Sequence, residues 1–222
     1  MKTIFNIAAI LMLISCSNST NETPKESIEQ TYNARVQQEV LERENGEKYL
    51  KVIVSESKML DTLHPNISSA NLALLTYKRM TSEQRENIKT MDIEMITTQN
   101  EIADYTYQVD FMKEVHEKFK VFDELSTALV NKNFKLLDQK RNVKDFPTEI
   151  EGVMNQKFQF LEKEYGKLSG YKTFGLAEQG DASGRAYQFQ AYLNFEKRDV
   201  PYFFYLDTRE GKDEWIGFSI KN

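Results

Sequence analysis

Between residues 187 and 193 the chain alternates, with Tyr187, Phe189, Ala191 and Leu193 on one side and glutamine, glutamine and Tyr192 between them, the period-two pattern of a half-buried strand. A similar alternation runs from Thr31 to Ser57, through Tyr32, Ala34 and Val36, then Leu50, Val52 and Val54, and the Asn45-Gly46 pair between the two runs predicts a hairpin. Residues 26 to 44 also hold many good helix formers, so a helix there is the alternative. Pro65 and a Ser68-Ser69 N-cap precede Leu72, Ala73, Leu75, Tyr77 and Met80 at helical spacing, which predicts a helix over 69–80. "SEQRENI" adds a helical turn, and strands are expected over 91–98 and 103–110, joined at Gln99-Asn100-Glu101.

From Met112 to Val130 the period changes to that of a helix, with Val115, Phe119, Phe122, Leu125 and Leu129 on one face. Phe134, Leu136 and Leu137 predict a second, short helix. Thr148 and Glu151 have capping-box spacing and open a third helix, closed by Gly166 and Gly170. Strands follow in "YKTFGLAE", "AYQFQAYLNFE", "PYFFYLD" and "EWIGFSI", separated by "GDASG" and "TREGKD" turns. The order predicts an α+β protein: a small antiparallel ββαββ module over residues 28–110, then helices followed by a run of antiparallel strands over 111–222.

The amino end reads differently. Lys2 and the apolar run Ile4 to Ile14 match a secretory signal, and the run is too short to span a bilayer, which needs about 20 apolar residues. It ends in Leu13-Ile14-Ser15-Cys16, which resembles the lipobox of bacterial lipoproteins. That resemblance implies removal of residues 1–15 and acylation of Cys16, so that membrane lipid is the first partner of the chain. One acyl chain binds a membrane only marginally and a stable anchor needs a second signal; several chains on one cysteine meet that need. Residues 16–27 then form the lipidated cysteine and a polar, flexible tether. Ser17, in place of the aspartate that retains enteric lipoproteins in the inner membrane, favours the outer membrane of the cell envelope.

Cys16 is the one cysteine among 222 residues, so no disulfide can brace the fold, and 14 Phe and 11 Tyr must supply much of its core. The formal net charge of −5 is spread among interspersed signs, which speaks against nucleic acid as a partner.

Residues 111–222, through "FDELSTALVNKNFKLLD", "FLEKEYGKLSGYKTFG" and "YFFYLDTREGKDEWIGFSI", resemble the nuclear-transport-factor-two-like superfamily. The resemblance covers about half the chain and implies a cone-shaped domain, with helices and a curved sheet around a cavity. That cavity can be an enzyme pocket, a ligand pocket or a core, and the fold does not choose among them. Tyr187, Tyr192, Tyr202, Tyr205 and Trp215 are the candidates to line it, or to form the face of a homodimer through the C-terminal sheet.

The catalytic motifs are thin. An isomerase-like site would need a carboxylate inside the cone, and Asp207 is the candidate, although it opens a turn where aspartate is common for local reasons. His64 and His116 lack a second ligand at metal spacing, the acids between Asp207 and Glu214 lack calcium-loop spacing, and "GDASG" lacks a P-loop lysine. No catalytic residue, metal or cofactor is assigned. The reading is a non-enzymatic membrane-anchored lipoprotein that binds a protein, a peptide or a small ligand; the alternative is a hydrolase or isomerase using the cone.

Overall fold

The computed structural model describes residues 23–144, 149–181 and 184–221; Cys16 and its flanks, and the Thr148 cap, lie outside them. Part of the expected tether is helical. Thr23 and Glu26 close a reciprocal capping box on α1 (Pro24–Tyr32), with Pro24 in its first turn. The two readings of residues 26–44 divide the segment between them: α1 ends at Asn33 in the left-handed conformation, and β1 (Arg35–Glu42) follows.

β1 pairs antiparallel with β2 (Lys48–Ser55). In the turn only Gly46 has positive φ, at 81°, and the bonds from Arg43 N–H to Glu47 and from Gly46 N–H to Arg43 make a longer loop with a glycine bulge. The predicted central helix begins earlier than its serines suggest, as α2 (Pro65–Arg79), and α3 (Ser82–Asn87) follows. β3 (Thr90–Ile96) and β4 (Ile102–Gln108) complete a sheet of order β1-β2-β3-β4. Its middle pair departs from the antiparallel expectation: β2 and β3 run parallel, because α2 and α3 carry the chain back to the starting end of the sheet before β3 begins.

The second half is α4 (Val109–Val130), α5 (Phe134–Gln139) and α6 (Glu151–Tyr165), then β5 (Leu168–Asp181), β6 (Gly184–Phe195), β7 (Asp199–Asp207) and β8 (Trp215–Ile220). These four strands form a separate antiparallel sheet in sequence order. The protein is therefore α+β, a four-stranded sheet with helices followed by helices and a second four-stranded sheet. Gly166, at φ 84°, ends α6 as expected, whereas Gly170 lies within β5.

The two halves do not keep separate cores. Residues 68–77 of α2 are buried in an unbroken run, so this helix is covered on every side rather than along one stripe. Leu50, Val52, Met91 and Ile93 of the first sheet, and Phe122, Phe189 and Phe204 of the second half, belong to one continuous hydrophobic core with Leu72, Leu74 and Leu75 of α2. The expected boundary at 110/111 falls just inside α4, with no gap in that core.

Small side chains allow the close approach. At Gly175, in a bulge of β5, a Cβ would overlap the Cγ2 of Ile67 and stand 3.0 Å from the Gln190 side-chain oxygen. β5 is an edge strand, and α1 and α2 lie against it, which shields an edge that would otherwise be open.

Several polar groups buried at this junction find partners, as buried polar groups generally do. Asn71 Nδ2 donates to the Tyr32 hydroxyl at 2.8 Å, which donates to the Phe174 carbonyl at 2.9 Å. Ser57 Oγ donates to the Tyr32 carbonyl at 2.6 Å, and the Ser69 and Tyr107 hydroxyls are 2.7 Å apart.

Candidate functional site

The structure does not bring the five aromatic candidates into one cavity. Tyr202 and Trp215 are wholly buried packing residues: Tyr202 stacks on Phe122, and Trp215 donates its indole N–H to the Leu137 carbonyl at 2.8 Å. The α4 side chains fill the inner face of the sheet where a cone would hold its cavity; Phe122 stacks on Phe189 with ring centres 5.2 Å apart. Tyr192 stacks on Phe174, with ring centres 4.2 Å apart. The Tyr205 hydroxyl accepts from Gln188 at 2.7 Å and borders a polar cleft of about 790 Å³.

Asp207 lies in that polar cleft but is not poised as a base. The Arg209 N–H and Nε each donate to its Oδ1 at 2.9 Å, and Nη2 pairs with Oδ2. The hydrogen-bonded guanidinium, which outweighs burial, holds the Asp207 carboxyl below its usual range. On the far side of the turn, Lys118 of α4, only 7% exposed, donates to the carbonyls of Arg209 at 2.6 Å and Lys212 at 2.7 Å. This pair of cations fixes the β7–β8 connection.

Tyr187, the fifth candidate, reaches a different place. A cleft of about 440 Å³ opens where the halves meet, within the usual size range of ligand sites. The first turn of α2 forms one wall with Asn66, Ile67 and Ala70, below His64. Tyr107 of β4 and Phe111 of α4 form the second wall, and Leu176, Ala177, Glu178 and Tyr187 of β5 and β6 the third.

The Tyr187 ring is fixed by edge contacts with Phe111 and Phe189, at centroid distances of 6.1 and 6.3 Å. The residue is 3% exposed, and its hydroxyl, which makes no hydrogen bond to the described residues, opens on the cleft rather than being sealed from solvent. Burial, with the negative charges of Glu178 and Glu114 behind it, pushes the phenol up to about 12, so the hydroxyl stays protonated and available as a donor. Glu178 itself is paired with Arg185. Tyr107 is already bonded to Ser69.

His64, read from the sequence as a loop residue, is exposed and stands at the N-cap of α2 without making a side-chain cap. His116 is half-buried against Tyr77, with ring centres 5.6 Å apart; burial first, then Lys120, depresses its pKa. Among the described residues no three histidine, cysteine or acidic side chains are placed to hold a metal.

Asn66, Ile67, Ala70 and Phe111 were not legible as cleft residues. The signal that existed was Pro65, which marks a helix start, followed by a first turn without an acidic residue. No family model matches this chain, and neither the curated proteins nor the solved structures contain a match.

Proposed function

We propose that this protein is a bacterial envelope lipoprotein, held in the outer membrane by acyl chains on Cys16, whose folded part is a non-enzymatic binding module that takes a small ligand in the cleft between its halves. The observation that carries the binding reading is the cleft of about 440 Å³ itself, in which the carbon surface of Ile67, Ala70, Phe111 and Leu176 stands beside the Tyr187 hydroxyl, a donor with no hydrogen bond to the described residues. A ligand that accepts from this hydroxyl gains a net hydrogen bond of about 0.5–1.5 kcal/mol.

The acidic groups of both clefts favour binding over proton transfer, since Asp207 is paired with Arg209 and Glu178 with Arg185. The anchor is supported by the lone cysteine in its Leu-Ile-Ser-Cys context; among the described residues no helix is long and apolar enough to cross a membrane.

Two experiments test the halves of this reading. Labelling cells with a palmitate analogue marks the wild type and leaves Cys16→Ser unmarked; an unlabelled wild type contradicts the anchor. Native mass spectrometry of protein extracted from its own membranes shows a small-molecule adduct that disappears in Ala70→Leu, where the larger side chain fills the cleft. An adduct equal in both proteins, or none in the wild type, contradicts the cleft as the site.

A further inference from the structure

Aromatic rings from three elements line the junction cleft: Tyr107 of β4, Phe111 of α4 and Tyr187 of β6. The Phe111 and Tyr187 rings stand at 70° to each other with centres 6.1 Å apart, so they meet edge to face and make a corner rather than a flat wall. The face of an aromatic ring is the negative side of its quadrupole and attracts a cation.

The carboxylates around that corner add to this attraction. Glu178 of β5 lines the cleft, and Glu114 follows Phe111 by one turn of α4. Both act on the Tyr187 phenol, and together they outweigh the opposing charge of Arg185 there. Arg185 is paired with Glu178, whereas Glu114 has no ion-pair partner among the described residues. A neutral phenol accepts as well as donates, so the Tyr187 oxygen can receive an ammonium N–H. On the facing wall the amino end of α2 carries about half a positive charge. A cation therefore belongs on the Tyr187 side of the cleft, and an uncharged body on the side of Ile67 and Ala70.

We propose that the ligand is an organic ammonium with an apolar body, its head in the corner of Phe111 and Tyr187 beside Glu178, its carbon chain lying over Ile67, Ala70 and Leu176 toward α2. This rests on the reading of the junction cleft as the binding site, and deepens it by naming the head group.

The test titrates the folded protein with three eight-carbon probes, octylamine, octanol and octanoate, by calorimetry at neutral pH, with amide shifts of residues 111–114 and of β6 reporting the place of binding. Octylamine, a cation at that pH, binds there most tightly. Glu114→Gln, an exposed change that removes one negative charge, weakens octylamine about two- to fivefold. Phe111→Leu, which keeps an apolar side chain and removes a ring face, weakens it about two- to fivefold as well. An unfolding temperature unchanged in Glu114→Gln shows that the lost binding is not a lost fold.

Octanol or octanoate binding as tightly as octylamine overturns the assignment of the head group and leaves the cleft as a site. Octylamine affinity unchanged in either variant, amide shifts that fall elsewhere, or no octylamine binding, overturns it as well. An adduct still sensitive to Ala70→Leu in native mass spectrometry then shows that the failure belongs to the head group and not to the cleft.

Discussion

The Tyr32 hydroxyl donates to the carbonyl of Phe174 at 2.9 Å, joining the first helix of the described chain to an edge strand of the second sheet across 142 positions of sequence. The same hydroxyl accepts from Asn71. One phenol thus completes the hydrogen bonding of α1, α2 and β5 where they meet. Tyr32→Phe leaves the Asn71 amide and the Phe174 carbonyl without this partner, and is expected to cost about 1–3 kcal/mol. Urea unfolding measures it; a loss below about 0.5 kcal/mol would mean that water replaces the bond freely.

Alkaline pH tests the same burial. Desolvation raises the Tyr32 phenol far above its ordinary value, against a smaller opposing effect of the Asn71 bond, and burial raises Tyr202 as well. Unfolded tyrosine ionises near pH 10. The unfolded chain therefore releases these protons first, so this contribution to stability is full below about pH 10 and is lost as pH rises through the folded values. Urea midpoints between about pH 8 and about pH 11 should fall at the upper end, and less steeply in Tyr32→Phe. Equal slopes in both proteins contradict burial as the source.

Gly175 tests the contact between α2 and β5. An alanine there meets Ile67 and Gln190, and neither a branched side chain held in a buried junction nor the bulge behind it yields without cost. Gly175→Ala is expected to lose about 1–3 kcal/mol, the range for overpacking. The double variant Gly175→Ala with Ile67→Ala recovers part of the loss if the clash is the cause. Stability no better in the double variant than in Gly175→Ala places the strain elsewhere.

Lys118 tests the β7–β8 turn. Its ammonium holds two carbonyls and stands 3.9 Å from Asp213. Lys118→Met keeps the buried stem and removes all three contacts, so amide exchange of residues 208–214 should rise by about tenfold while exchange in the first sheet stays unchanged. Exchange rising equally in both sheets would mean that Lys118 supports the whole fold.

The strands and helices of this chain were largely legible because single faces set their patterns. The run Val115, Phe119, Phe122, Leu125 and Leu129 is the buried face of α4, and Tyr187, Phe189, Ala191 and Leu193 share the buried side of β6. What escaped the sequence depends on pairs of elements. The parallel register of β2 and β3 is set by where the crossover returns the chain, which neither strand encodes. Ser68 and Ser69 look like a cap, and are buried because they lie inside α2 against Met95 and Tyr107 of the first sheet, while Asn71 is covered by Tyr32 of α1. The cleft escaped for the same reason: Asn66 and Tyr187 stand on opposite walls, built by segments more than a hundred positions apart. Tyr187 was singled out as a strand aromatic, and its partnerless hydroxyl is a property of the assembled junction alone.

The shared core is the claim on which the cleft stands, and Trp215 gives a direct view of it. It is the one tryptophan of the chain and lies in the second sheet, so its fluorescence can be compared along a urea series with amide exchange of Val52 and Ile93 in the first. The account predicts one coincident transition for both probes, with Tyr32→Phe shifting both midpoints together. Two separate transitions, with the first sheet melting while Trp215 stays native, would contradict it.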